Sequence, residues 1–118
     1  LGYAETRAIE VSGFTATPEE PMIEESVRVA VIATNTTNKN VRLLIDFAID
    51  FVKANGTTSR KVFKGGEFEL GPQASESIAK TISVRQHTTR THYPGVHDVH
   101  ALVNGSTNPI GSFTLLPA

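Results

Sequence analysis

Four histidines, His87, His92, His97 and His100, fall within fourteen positions and are the first residues whose type suggests chemistry. A structural or catalytic metal needs three or four donors converging on one point. On a strand, His97 and His100 differ by an odd number and face opposite sides. His87 and His92 lie in a loop, and Asp98 is the one carboxylate nearby, so the group reads as structural and no metal is expected. The carboxylates Asp46 and Asp50 share the outward side of one strand, about 13 Å apart along an extended chain, too far for the paired acids of glycoside hydrolysis. Glu67 and Glu69 read as solvated neighbours. A hydroxyl nucleophile needs a strained elbow and a base within reach. The serines of Ala74-Ser75-Glu76-Ser77 instead follow a turn. Gly65-Gly66 lacks the Lys-Ser/Thr and the helix of a phosphate loop. No catalytic constellation emerges, and the domain itself is not expected to be an enzyme.

The cations say more. Lys53, Arg60, Lys61 and Lys64 occupy a stretch without an acidic residue, and Arg85, His87, Arg90 and His92 form a second group. One reading makes these solvated loops that aid solubility. The other brings them to one face, where Lys53, Arg60, Lys61, Lys64, Arg85 and Arg90 contact phosphate, with threonine hydroxyls adding neutral hydrogen bonds.

Strands must position these residues. Val41, Leu43, Ile45, Phe47, Ile49 and Phe51 alternate with Arg42, Asp46 and Asp50, a period of two that buries one side and wets the other. Burial of each large apolar side chain contributes about 1.5–3 kcal/mol before entropy. Val27, Val29, Val31 and Ala33 repeat the pattern. Ala8 to Ala16 reads as an edge strand ended by Pro18 and Pro21, with Glu19-Glu20 in the loop beyond. Asn55-Gly56 and Asn104-Gly105 mark turns. Ser59–Phe63 and Glu67–Leu70 read as two short strands split by Gly65-Gly66. Glu76–Val84, the stretch containing His97, Val99, Ala101 and Val103, and Ile110–Leu116 complete the set. About eight strands without an intervening helix predict an all-β, immunoglobulin- or fibronectin-III-like antiparallel β-sandwich of about 7–9 strands. Tyr93 stands where such sandwiches carry a tyrosine corner. Without a Cys…Trp…Cys core the antibody type is ruled out.

The 118 residues allow one domain, with residues 1–6 expected to be the tail of a linker from a preceding domain and 7–118 the sandwich. The start, Leu1-Gly2-Tyr3, reads as the cut end of a longer protein. The absence of cysteine excludes disulfides and thiolate metal sites and suits a reducing compartment. No apolar run has the roughly 20 residues of a membrane span. The net charge of −1 is uneven: Leu1 to Glu25 carries six acidic residues against Arg7 alone, and the remainder ten basic against six acidic. That mild basicity falls well short of a dedicated nucleic-acid binder.

Read in order, Phe51-Val52-Lys53-Ala54-Asn55-Gly56, Lys61-Val62-Phe63-Lys64, Thr88-Thr89-Arg90, Tyr93-Pro94-Gly95-Val96-His97 and Val103-Asn104-Gly105 resemble the C-terminal domain of bacterial DNA alkylation repair proteins of the HEAT-like repeat glycosylase family. The likeness covers nearly the whole chain. It implies a non-catalytic accessory β-sandwich that packs against a helical repeat domain of the same polypeptide, with DNA backbone contact as a further role. Base excision would belong to the helical part. The resemblance implies a cytoplasmic, monomeric domain with no cofactor and no membrane, meeting DNA through the parent protein. Gly65-Gly66 departs from the family pattern, which places a side chain after the position of Lys64.

Two other readings stay open. A generic fibronectin-III-like protein–protein or carbohydrate module has the same fold, although the lack of tryptophan and the presence of only two tyrosines disfavour a sugar platform. Alternatively, a partner strand could add to the Ala8–Ala16 edge.

Overall fold

The alternation between Val41 and Val52 builds the central strand of a two-layer sandwich. The computed structural model describes residues 8–86 and 91–118. Among them run seven strands: β1 (Ile9–Thr17), β2 (Ser26–Asn35), β3 (Val41–Val52), β4 (Thr58–Leu70), β5 (Ser75–Ser83), β6 (Gly95–Val103) and β7 (Ser106–Leu115). They form an antiparallel three-stranded sheet ordered β1-β2-β5 and an antiparallel four-stranded sheet ordered β4-β3-β6-β7. The expected all-β immunoglobulin-like sandwich is therefore present.

The odd-numbered residues from Leu43 to Phe51 are buried, as are Val27, Val29, Val31 and Ala33 opposite them. Ile78, Ile82, Val84, Val99, Ala101, Val103, Phe113 and Leu115 join the same cluster. Each strand contributes every second residue because the pleat sends neighbours to opposite faces. One core results, filled from both sheets.

The Asn55-Gly56 turn closes the β3–β4 hairpin, and Gly56 takes the positive φ of 84° that the turn requires. Pairing then follows outward from the turn, with Val52 opposite Thr58 and Asp50 opposite Arg60. The predicted break at Gly65-Gly66 is instead a bulge inside one continuous strand, where the register shifts between Ile45 and Asp46. Glycine is needed there: a Cβ on Gly65 would lie 2.5 Å from the Ile45 carbonyl oxygen, and one on Gly66 would lie 2.8 Å from the Phe68 ring. Backbone crowding explains the departure from a side-chain-bearing residue.

Asn35, fully buried at the end of β2, ties the loops at one end of the sandwich. Its Nδ2 donates to the carbonyls of Lys39 (2.7 Å), Gly71 (2.8 Å) and Leu70 (3.1 Å), while its Oδ1 accepts from the amide and the hydroxyl of Thr37. At the other end, the connection after β1 runs along β7. Thr114 and Leu116 donate to the carbonyls of Glu19 and Pro21, and Ile23 donates to that of Leu116. This covers part of the β7 edge, which would otherwise expose unpaired backbone groups.

Candidate nucleic-acid interface

Two opposite ends define where the cations lie. The β3–β4 turn, the segment after β5 and the start of β6 share one end, because β5 ends opposite the start of β2 and β6 begins opposite the end of β7. Lys53 stands in the turn, exposed, its amide donating to the Thr57 carbonyl at 2.8 Å. Arg85 follows β5, also exposed, its amide held by the Ser83 hydroxyl at 3.3 Å. Arg60 and Lys64 lie on β4 opposite Asp50 and Asp46, on the outward face of the four-stranded sheet.

Lys61 departs from this group. It pairs with Ile49, whose side chain points into the core, so Lys61 emerges at the inner margin of β4 with its ammonium 5.3 Å from the Phe63 ring centroid. The six candidate cations therefore do not all meet on one face, because Arg60 and Lys61 are neighbours on a strand. Arg90 lies outside the described residues, as does His87.

Arg60 is committed to a neighbour. Its Nε and Nη2 donate to the two oxygens of Asp50 at 2.8 and 3.1 Å, and the Nε2–H of His100 donates to the same carboxylate at 3.0 Å. The Arg60 guanidinium holds the Asp50 carboxyl below the usual carboxylate range; burial opposes this and His100 assists it. Nδ1 of His100 is buried and makes no hydrogen bond among the described residues. Counting outward from a two-residue Asn55-Gly56 turn would set Asp50 against Lys61; the three-residue loop 54–56, with the Lys53 amide donating to the Thr57 carbonyl, sets it against Arg60 instead. The pairing of Asp50 with His100 depends on a third strand, and no local signal carries it.

Gln86 and His92 are tied together by the Gln86 side chain. Gln86 Nε2 donates to the His92 carbonyl at 3.0 Å and its Oε1 accepts from the His92 amide at 2.7 Å. The Gln86 amide in turn donates to Glu24 Oε1 at 3.0 Å. Sequence reasoning missed Gln86, since a side chain that bonds to backbone leaves no periodic signature.

The histidines separate as their spacing predicts. His97 is fully buried, stacked on Phe113 at 5.2 Å and edge-on to Phe51 at 5.5 Å, while His100 faces the other side of the sheet. The Gly95 carbonyl can only accept, so His97 Nδ1 carries the proton of their 3.0 Å bond and Nε2 is left bare among aromatic rings. Burial pushes the His97 imidazole below its ordinary value. His92 also packs on Phe51, its ring centroid 5.3 Å away and tilted by 53°. Among the described residues no three of His, Asp and Glu could hold a metal ion together. Tyr93 is half-buried just before β6, and no hydrogen bond of its hydroxyl occurs among the described residues. No helix among those residues is long and apolar enough to cross a membrane.

Comparisons with known proteins give this geometry a context. Residues 10–117 match the family model described as "Uncharacterised protein YhaZ, C-terminal Ig-like domain". The Bacillus subtilis (strain 168) protein YhaZ is 34% identical over 105 residues, which is 89% of this chain and 29% of that protein. The solved structure of the Pseudomonas fluorescens alkylpurine DNA glycosylase AlkC, bound to DNA containing an abasic site analog, superposes with a TM-score of 0.86 at 34% identity, over 92% of this chain and 30% of that one. A β-glucosidase from Erythrobacter marinus matches with a TM-score of 0.75 at 16% identity over 92% of this chain and 15% of its own, a likeness of fold alone. This chain thus spans less than a third of YhaZ and of AlkC, matching a part of each. With residues 10–117 matched by that model, the chain belongs to the family of YhaZ C-terminal Ig-like domains.

Proposed function

We propose that this chain is the accessory C-terminal domain of a DNA alkylation repair protein, contributing backbone contacts to DNA while base excision is performed elsewhere in the polypeptide. The observation that carries this reading is the likeness to AlkC: one-third identity across nearly the entire chain, to a glycosylase solved on DNA. The parent is read as an alkylpurine DNA glycosylase working in the cytoplasm, with a helical repeat domain preceding residues 7–118 and residues 1–6 belonging to the join. The sandwich supplies charge rather than chemistry. Lys53 and Arg85 project from one end, and Lys64 from the adjoining outward face of β4, none of them in an ion pair among the described residues. Arg60 is the weaker candidate, because Asp50 already neutralises it.

Phosphate contacts of this kind are sequence-independent and salt-sensitive. In the parent protein, replacing Lys53, Lys64 and Arg85 together by alanine should flatten the log–log dependence of duplex-DNA affinity on salt by about 2.7, at roughly 0.9 per phosphate. Fluorescence anisotropy across a salt series measures this. An unchanged slope would remove the DNA-contacting role and leave the domain with packing alone.

A further inference from the structure

The outward faces of the two sheets differ in chemistry. That of the four-stranded sheet is crowded with charge, including the Arg42–Glu67 pair at 3.0 Å and the Arg60–Asp50–His100 cluster. On the three-stranded sheet the middle of the outward face consists of two cross-strand rows, Ser12–Ile32–Ser77 and Thr15–Ala30–Ala79, all uncharged. Around them only Glu10 and Arg28 carry charge, and every other outward paired position is Ser or Thr. Ile32 stands 40% exposed at the centre, its Cδ1 lying 3.2 Å from where a Cβ on Gly13 would sit. The Thr34 and Ser75 hydroxyls bond each other at 2.7 Å.

Exposed strand faces usually carry Lys and Glu for solubility and against association. Depletion of charged side chains at the centre of a surface marks the core of an interface. Small side chains on three adjacent strands also allow another backbone or helix to approach closely.

The geometry points to this face as the docking surface for the covalently attached remainder of the parent polypeptide, an inference that rests on the reading of the chain as one domain of a longer repair protein. Size selects the occupant. Strands about 4.8 Å apart and rising about 3.3 Å per residue make the face roughly 400 Å². A stable complex between separate molecules buries about 800 Å² on each partner. Contacts between domains of one chain bury about 600–1,500 Å² in total, which a face of this size supplies. The relatives supply the candidate occupant, since this chain covers 29% of YhaZ and 30% of AlkC.

Cysteine labelling in the full-length parent tests the assignment. Ser77→Cys and Thr81→Cys sit on this face, and Val62→Cys, 50% exposed, sits on the outward face of the other sheet. This chain has no cysteine of its own, so each new thiol is unique within it. Reaction with a small maleimide, read peptide by peptide by mass spectrometry, should be about tenfold slower or more at Ser77→Cys and Thr81→Cys than at Val62→Cys. Equal rates, or slower reaction at Val62→Cys, would overturn the proposal. Slow reaction at Ser77→Cys that accelerates on dilution would assign the face to a second copy and overturn it too. DNA binding measured on the same samples keeps the two readings apart: shielded thiols in a parent that ignores DNA would sink the repair assignment alone, and reactive thiols in a parent that binds DNA would sink the docking face alone.

Discussion

Asn35 holds three carbonyls and one threonine without a single charged group. Each such hydrogen bond contributes little net, but leaving buried partners unmet costs more. Asn35→Ala should therefore lower the urea-derived unfolding free energy by about 2–4 kcal/mol. Asn35→Asp should be at least as harmful, since it would aim a carboxylate at three carbonyl oxygens. His97 gives a second test at this scale. Burial lowers its folded pKa, so at acidic pH the unfolded chain binds the extra proton. Its contribution is complete above its unfolded value of about 6.5 and is lost as pH falls from there toward the lower folded value. Asp50 behaves likewise at lower pH: its depressed pKa stabilises the fold above about 3.9, and that gain disappears on further acidification. Urea titrations between pH 7.5 and 5 should show falling stability, with a shallower fall in His97→Phe; an identical slope in the variant would contradict the neutral, buried assignment.

At the scale of elements, the strands that alternate cleanly were legible in the sequence. β3 was legible from the alternation between Val41 and Phe51, and the buried faces of β2 and β6 came from the same period of two. β4 was not, because Gly65-Gly66 looks like punctuation when the partner strand is unknown. Only the opposing Ile45 carbonyl reveals a bulge that keeps the strand whole. Gly65→Ala should accordingly cost about 2 kcal/mol or more, as a methyl group is forced against backbone that cannot retreat. Gly111→Ala also meets a close neighbour, since a Cβ there would lie 2.3 Å from the Phe14 ring. Phe14 is only half-buried and can swing aside, so the loss should be smaller, about 1 kcal/mol. Thermal or urea unfolding of the two variants side by side checks the order.

At the scale of the whole molecule, the fold was legible and the interface only partly so. Spacing along the chain put Lys53, Arg60, Lys61 and Lys64 in one group, yet strand alternation separates Lys61 from its neighbours and an ion pair occupies Arg60. Such outcomes depend on register and on third strands, which residue order does not display. The charge-poor face of the three-stranded sheet was equally hidden, because its serines and threonines are scattered over β1, β2 and β5 and resemble turn chemistry when read in line. The family resemblance, carried by motif order between Phe51 and Gly105, survived comparison with AlkC and YhaZ.

The most direct measurement is single-turnover release of an alkylated purine from duplex DNA by the parent protein and by its Lys53→Ala/Lys64→Ala/Arg85→Ala variant. An accessory domain that grips the backbone predicts a higher half-saturating enzyme concentration, with the maximal rate preserved within about twofold. A collapse of the maximal rate with saturation unchanged would place these side chains in the chemistry itself and contradict the account.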